Sequence, residues 1–267
     1  MISFRNLFSK TLSAIRGHWF QAICVFFVYN LMLGLVFFSG LGILLILIIS
    51  GPLMIGICVY SLKIIRDNFP KAEDLIFGFK FNLGNGILAY FIIIPIILVC
   101  GFLLMLLLFA INFFIYLQIL SVYYSQSYEA FTVSMEWKAL LSPFLLFFEF
   151  GFLNAVLIIL FVIISFCFSI LFPFFIASIP FSMTFYIMAD DSSIDAWDAI
   201  QESWSMMKGF KRSYLWLNFI LLLLLIPVSI FTLCIGLLWF IPFSSIITGV
   251  FYEEIKSIRG NNIQRIN

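Results

Sequence analysis

Charge is what this sequence has least of: Asp, Glu, Lys and Arg make up 10% of its 267 residues, and there is one histidine. A soluble domain is about a quarter charged, so a wholly water-facing globular surface is excluded. Acids and bases nearly cancel, to a formal +1, and a chain without a basic excess carries no electrostatic footprint for nucleic acid. No HExxH, GxSxG, phosphate-binding loop or paired-carboxylate arrangement occurs. The expectation is a protein that is not an enzyme, with no catalytic residue, metal or cofactor. Cys24, Cys58, Cys100, Cys167 and Cys234 fall singly inside apolar runs, without CxxC or Cys/His spacing, and read as small buried hydrophobes.

What the chain has instead is apolar sequence: 64% hydrophobic residues, 36 phenylalanines and a mean hydropathy of +1.19. A hydrocarbon core about 30 Å thick takes about 20 apolar residues per helix, and only helices or closed barrels satisfy the backbone there. The runs are continuous rather than alternating, which selects helices. The expected fold is therefore all-α, a polytopic membrane helix bundle. Spans are expected at about 19 to 39, 42 to 62, 86 to 117, within 144 to 188, at 213 to 233 and at 236 to 252. Together, residues 18 to 252 form the membrane domain.

The distribution of bases sets the sidedness. If 144 to 188 crosses once, thirteen of the fourteen Lys and Arg residues lie on one side; if it crosses twice, they split evenly. Cytoplasmic connections carry the Lys/Arg excess, so one crossing is expected, giving six spans with both termini in the cytoplasm. Residues 63 to 85, 190 to 212 and the tail 253 to 267 then lie inside, and the Tyr-rich 118 to 143 outside. The surplus length of 144 to 188 must go into tilt, breaks at Pro173 and Pro180, or projection beyond the outer face.

Two polar segments are amphipathic. In residues 1 to 17, Phe4, Leu7, Phe8, Leu12 and Ile15 alternate with Arg5, Lys10 and Arg16, the pattern of a helix on a membrane surface. In "SSIDAWDAIQESWSMMKGFKR", residues 192 to 212, Ser192 and Asp195 resemble a capping box. Ile194, Trp197, Ile200, Trp204 and Met207 form one stripe, and Gly209 sits where a C-terminal cap belongs. This helix is either a surface connector or a partner-docking element using Trp197, Trp204, Lys208 and Lys211. His18, beside Trp19 where the chain first meets the membrane, reads as an interfacial anchor.

The even spans carry "GPLMIGICVY" (51 to 60), "IPFSMTFYIM" (179 to 188) and "IPFSSIITGVFY" (241 to 252), each a proline followed by a tyrosine. Basic segments with a glycine ("SAIRGHW", "LIFGFK", "SMMKGFK") precede the odd spans. Three helical hairpins in one orientation would produce both. Proline removes a backbone donor, and in lipid the freed carbonyl needs a new partner. Kinks or breaks at Pro52, Pro180 and Pro242, with Ser182 and Ser244 close by, are therefore expected to line a polar ligand pocket, to which Glu149 and Asn154 are candidate contributors. Glu149, with Asn154 nearby, is the one acid well inside an apolar run; it is either a functional group or an acid near water at the outer end of span four. Asn30, Asn112 and Asn218 read as interhelical hydrogen-bond partners.

The stretch "ADDSSIDAWDAIQESWSMMKGFK", with "IGLLWFIPFSSIITGVFYEEI" after the next span, resembles the C-terminal signature of a bacterial membrane-protein family, domain of unknown function 975. The matching positions are Asp191, Ala199, Ser203, Met207, Gly209, Lys211, Pro242, Phe243, Phe251 and Tyr252, and "GPLMIG" and "DLIFGF" extend the likeness to the N-terminal half. The resemblance implies a six-span protein of the bacterial inner membrane, distantly similar to the membrane domain of some glycerophosphodiester phosphodiesterases, and implies no activity. The partners expected are membrane lipids, together with a membrane-protein partner or a second copy of the chain. The functional expectation is transport-like or lipid-handling; the alternative is a scaffold that docks a partner through its amphipathic helices, and an intramembrane enzyme comes last.

Overall fold

The computed structural model describes residues 3–38, 42–127, 151–232 and 235–266, and every element among them is a helix. In chain order these are α1 (Phe4–Ile15), α2 (Trp19–Phe38), α3 (Gly42–Ile65), a 3-10 turn (Ala72–Ile76), α4 (Phe77–Phe81), α5 (Leu83–Ser127), α6 (Gly151–Ser178), a second 3-10 turn (Ile179–Phe181), α7 (Thr184–Asp190), α8 (Ala196–Met207), α9 (Lys211–Phe231) and α10 (Leu237–Ile266). Among the described residues, five stretches are long and apolar enough to cross a membrane: Trp19–Phe38, Leu45–Ile65, Leu83–Gln118, Val162–Asp190 and Lys211–Phe231. Large apolar side chains such as Phe102, Phe114, Leu171, Leu223 and Phe231 point outward from them. Such an apolar exterior suits lipid and not water. The sixth expected span, 236 to 252, falls in the first half of α10, which continues into a charged second half.

The chain forms two compact units, residues 1–95 with 178–267, and residues 96–177. In the first, α3 is the central element, in contact with α1, α2, the first 3-10 turn, α4, α7 and α10. Lipid is as apolar as leucine, so burial alone does not hold membrane helices together; close backbone approach does. Here the small residues of α3 provide it. A Cβ on Gly51 would stand 2.1 Å from the Gly86 carbonyl oxygen, one on Gly56 2.1 Å from that of Leu75, and one on Gly78 2.1 Å from that of Pro52. Segment 72–86 therefore lies directly on the α3 backbone. Asp74, buried, fixes it further, accepting from Lys63 Nζ at 2.6 Å and from the Lys71 N–H at 2.9 Å.

The three proline-to-tyrosine segments converge in this unit. Ser61 and Ser245 place their hydroxyls 3.1 Å apart, Tyr186 donates to the Ser245 carbonyl at 2.7 Å, and the rings of Tyr186 and Tyr252 stack at 5.9 Å. Helix α1 does not simply lie on a membrane surface: its stripe of Leu7, Thr11 and Ile15 is fully buried, α1 packs on α10 and α3, and Phe8 meets Phe243. The reason is shape, since Thr11 satisfies its own hydroxyl on the Leu7 carbonyl and so adds a small, apolar-facing step between two large side chains.

In the second unit, which takes the part of α5 after Pro95, the helix runs on past the expected loop boundary at 118, to Ser127. Asn112 donates to the Ser169 hydroxyl at 2.8 Å and to the Leu108 carbonyl at 2.9 Å, and accepts from Ser165. That is the interhelical role read from the sequence; Asn30 and Asn218, given the same reading, donate instead to the Phe26 and Tyr214 carbonyls of their own helices, at 2.7 and 2.9 Å.

The glycine contacts make a sharp prediction. Replacing Gly56 or Gly78 with alanine should destabilise the fold by about 3 kcal/mol, the upper end of overpacking costs. Gly84→Ala, where a Cβ meets nothing within 4 Å, should be near neutral. Thermal unfolding in detergent checks the ranking.

Candidate functional site

The functional geometry gathers at the end of the first unit where the polar helix termini meet. Helix α1 ends at Ile15 and turns through Arg16, Gly17 and His18, with Gly17 at φ +93. That left-handed conformation suits glycine and reverses the chain tightly into α2. Helix α3 closes nearby at Arg66 and Asp67, and Asp67 itself has φ 58. Helix α10 completes the wall with Val250, Glu253, Glu254 and Ser257. Between them lies an open cleft of about 730 Å³, lined also by Lys10, Ser13 and Ala14 and by Ile64 and Ile65.

Ion pairs tie the walls of this cleft together. Arg66 bonds Asp190 at 2.7 Å and Glu253 at 2.6 Å. Lys256 pairs with the other Asp190 oxygen, to which Tyr252 also donates at 3.1 Å, and Lys10 pairs with Glu254. Partial burial works against the Arg66 guanidinium, but its hydrogen bonds to Asp190 and Glu253 outweigh that and raise it above its ordinary value. Further along α10, Arg259 donates to the Ser205 carbonyl and, at 3.3 Å, to its hydroxyl, which binds the end of α8. Among the described residues Arg16 makes no ion pair. The cleft thus offers Arg16 and the His18 ring beside the carboxylates of Asp67, Glu253 and Glu254, a lining of mixed charge suited to a polar group that carries charge itself. No group of three or more His, Cys, Asp or Glu side chains among the described residues is arranged to hold a metal ion.

The sequence-derived site residues fall elsewhere. Pro180 does break its helix, at the 3-10 turn between α6 and α7, and Ser203 of α8 donates to its carbonyl at 2.8 Å. Pro52 and Pro242 sit inside the unbroken helices α3 and α10. Pro52 instead serves the close contact with Gly78. Ser182 and Ser244 turn their hydroxyls onto the Ile179 and Ile241 carbonyls of their own turns. Glu149 lies outside the described residues, as does the side chain of Asn154.

Helix α8 appears where expected, but with different faces. Asp195, not Ser192, is its N-cap residue, because Ser193 bends back to Asp191, giving it both its N–H at 2.9 Å and its hydroxyl at 2.6 Å. That hydroxyl, and then that N–H, lower Asp191 below the ordinary carboxylate value. Gly209 takes φ +88 after the last turn, as a C-terminal cap requires. The face packed on the protein consists of Ala196, Ala199, Ile200, Ser203, Met206 and Met207. Trp197 and Trp204, expected on an apolar stripe lying against the membrane interface or the ends of the bundle, are 55% and 44% exposed on the protein, because small residues allow the closer approach. Asp198, Glu202 and Lys208 are exposed, and Lys211 lies over the Trp204 ring at 4.6 Å.

Cleft residues were missed because they come from three distant parts of the chain. A signal was nonetheless present: each proline-to-tyrosine segment runs into a charged pair, Arg66-Asp67, Asp190-Asp191 and Glu253-Glu254, and these pairs supply most of the network.

With described residues that are all-helical, five helices among them able to span a membrane, and a charged cleft at one end of the first unit, the chain belongs to the class of multi-helix membrane-type proteins. More narrowly, it is a member of the family described as Protein of unknown function (DUF975), whose model matches residues 8–259 and so takes in the whole cleft. No curated protein and no solved structure matches the chain.

The network predicts unequal costs for neighbouring acids. Asp190→Asn should lose about 1.5–3 kcal/mol, the range for hydrogen bonds to charged groups. Asp191→Asn, at a fully exposed site, should cost clearly less. Thermal unfolding of the two variants checks this, and added salt should narrow the gap by screening.

Proposed function

We propose that this protein is a six-span, non-enzymatic protein of the bacterial inner membrane that handles an amphiphile, admitting its polar headgroup into the cleft between α1, α3 and α10. The observation that carries this reading is the cleft itself, of mixed charge and open, beside the turn from which the apolar helix α2 departs. Lipid tails would lie along the outward apolar side chains while the headgroup meets Arg16, His18 and the carboxylates of α10.

Six spans follow if the first half of α10 crosses. Its Ile246, Ile247, Val250 and Phe251 are buried and it packs along α3, while its charged half starts level with the ends of α3 and α7 through the Arg66, Asp190 and Glu253 pairs. The same pairs, with Lys10 to Glu254, put the N-terminal helix, the 63 to 85 connection, the start of 190 to 212 and the tail at one end. An even split of the bases across the membrane would separate them. One side, the cytoplasmic one, fits the basic excess.

Two outcomes are expected. Native mass spectrometry of protein purified in mild detergent should find a bound lipid or other amphiphile, reduced about tenfold, or about 1.4 kcal/mol, in an Arg16→Gln/His18→Gln variant. A chain that arrives bare, or one that keeps its amphiphile undiminished in the variant, would overturn the cleft reading. For topology, on a cysteine-free background, Gln201→Cys should react with membrane-impermeant thiol reagents only after the membrane is opened, and Ser134→Cys should react from outside. Outside labelling at 201 defeats the six-span arrangement.

The second reading, a scaffold docking a protein partner, draws on the half-exposed Trp197 and Trp204 of α8. Under it, protein and not lipid covers the two indoles.

A further inference from the structure

Helix α8 has three faces, not two. At 100° per residue, Ala196, Ala199, Ile200, Ser203, Met206 and Met207 fall in one sector, and this sector is buried on the protein. Trp197, Gln201, Trp204 and Lys208 fall in a second and are exposed; Asp195, Asp198 and Glu202 fall in a third and are exposed as well. The second sector carries both indoles and an ammonium without a carboxylate, and the third carries the acids. A helix solvated all round its outer surface has no reason to sort them this way.

We infer that the Trp197/Trp204 face of α8 lies in the headgroup layer of an anionic bilayer, the acidic face turned to water. Three observations carry this. The face ends against Lys211, whose ammonium sits over the Trp204 ring and which is the first residue of α9, a helix able to span a membrane. It therefore adjoins the level at which the chain passes from water into apolar surroundings. Beyond that point α9 continues outward with Trp216 and Phe219, 47% and 51% exposed and in edge-to-face contact, so the indole surface leads into a lipid-type surface. Indole rings prefer the membrane boundary, and an amphipathic helix gains from basic groups beside anionic lipid. Lys208, Lys211 and Arg212 cluster at this end. The underside is held: Ser203 bonds the Pro180 carbonyl, Phe181 meets the Trp204 ring at 5.7 Å, and Arg259 grips Ser205. The helix is fastened to the bundle by one face and presents the second to lipid.

The test uses the full chain, cysteine-free, with a nitroxide at Gln201→Cys between the indoles or at Glu202→Cys on the acidic face. It is reconstituted in vesicles of phosphatidylcholine alone, or of three parts phosphatidylcholine to one of phosphatidylglycerol. In the anionic vesicles position 201 should show an oxygen-to-nickel-chelate accessibility ratio about fivefold above that of 202, as an interfacial site does. Lys208→Gln/Lys211→Gln should bring that ratio back toward its value in phosphatidylcholine alone. Equal nickel access at both positions, exclusion of both reagents from 201, as a protein partner or second copy would cause, or the same ratio in both vesicles, each overturns the inference. A check that needs no cysteine removal compares quenching by brominated lipid in the natural chain and in Trp197→Phe/Trp204→Phe. With two of the six tryptophans at the boundary, about a third of the lipid-quenchable emission should vanish; unchanged quenching contradicts the placement.

Discussion

The contact on which the first unit depends is that of the α3 backbone with segment 72–86, carbonyl against Cα at glycine. In a medium where apolar side chains gain little by leaving lipid for protein, dispersion over closely matched surfaces and a few polar bonds must hold helices together. Gly51, Gly56, Gly78 and Gly86 remove the side chains that would hold the two strips apart. Once 72–86 is seated, α3 has its remaining sides free for α2, α7 and α10, and Asp74 locks the arrangement to Lys63.

The charged end follows from that seating. With α3 fixed, its terminal Arg66 becomes a hub for acids from α7 and α10. Ion pairs at partly exposed sites add little individually, but these share members, so the ends of three helices and, through Lys10, of α1 are set relative to one another. The cleft is what remains between those tied ends. Its walls are therefore fixed relative to one another by charge as well as by packing.

Much of the fold was legible in the sequence. Continuous apolar runs announced helices, glycine after Met207-Lys208 announced the end of α8, and of the three in-span asparagines Asn112 makes the interhelical bond its type suggests while Asn30 and Asn218 bond their own helices. Periodicity does not show which part of an apolar stripe packs on the protein. Trp197 and Trp204 are the largest apolar residues of the α8 stripe, yet the bundle takes up Ala199 and Ser203, which are small and allow close packing, and leaves the indoles half exposed. Nor does sequence separate prolines that end a helix from those that lie within one: Pro52 and Pro242 sit in continuous helices, and at Pro180, where Ser203 takes up a carbonyl, the helix ends. The amphipathic α1 could be seen as a helix, but not that its inward stripe would meet α10, about 240 residues along. The cleft was least legible because its charges come together only after the chain has folded, although their places at the ends of three similar segments were in plain view.

The Asn112 clamp of the second unit has a consequence for how sequence maps to shape. Helices α5 and α6 are apolar on every side, so their side chains scarcely distinguish a neighbour from a lipid tail, and rotation about either axis would cost little. A single amide engaging Ser169 and Ser165 breaks that degeneracy, since any other rotation strands a polar group in hydrocarbon. The pair of helices behaves like a smooth shaft with one keyway. Most of its surface can be rewritten among leucine, isoleucine and phenylalanine without changing which way it faces, and the orientation rests on three polar residues.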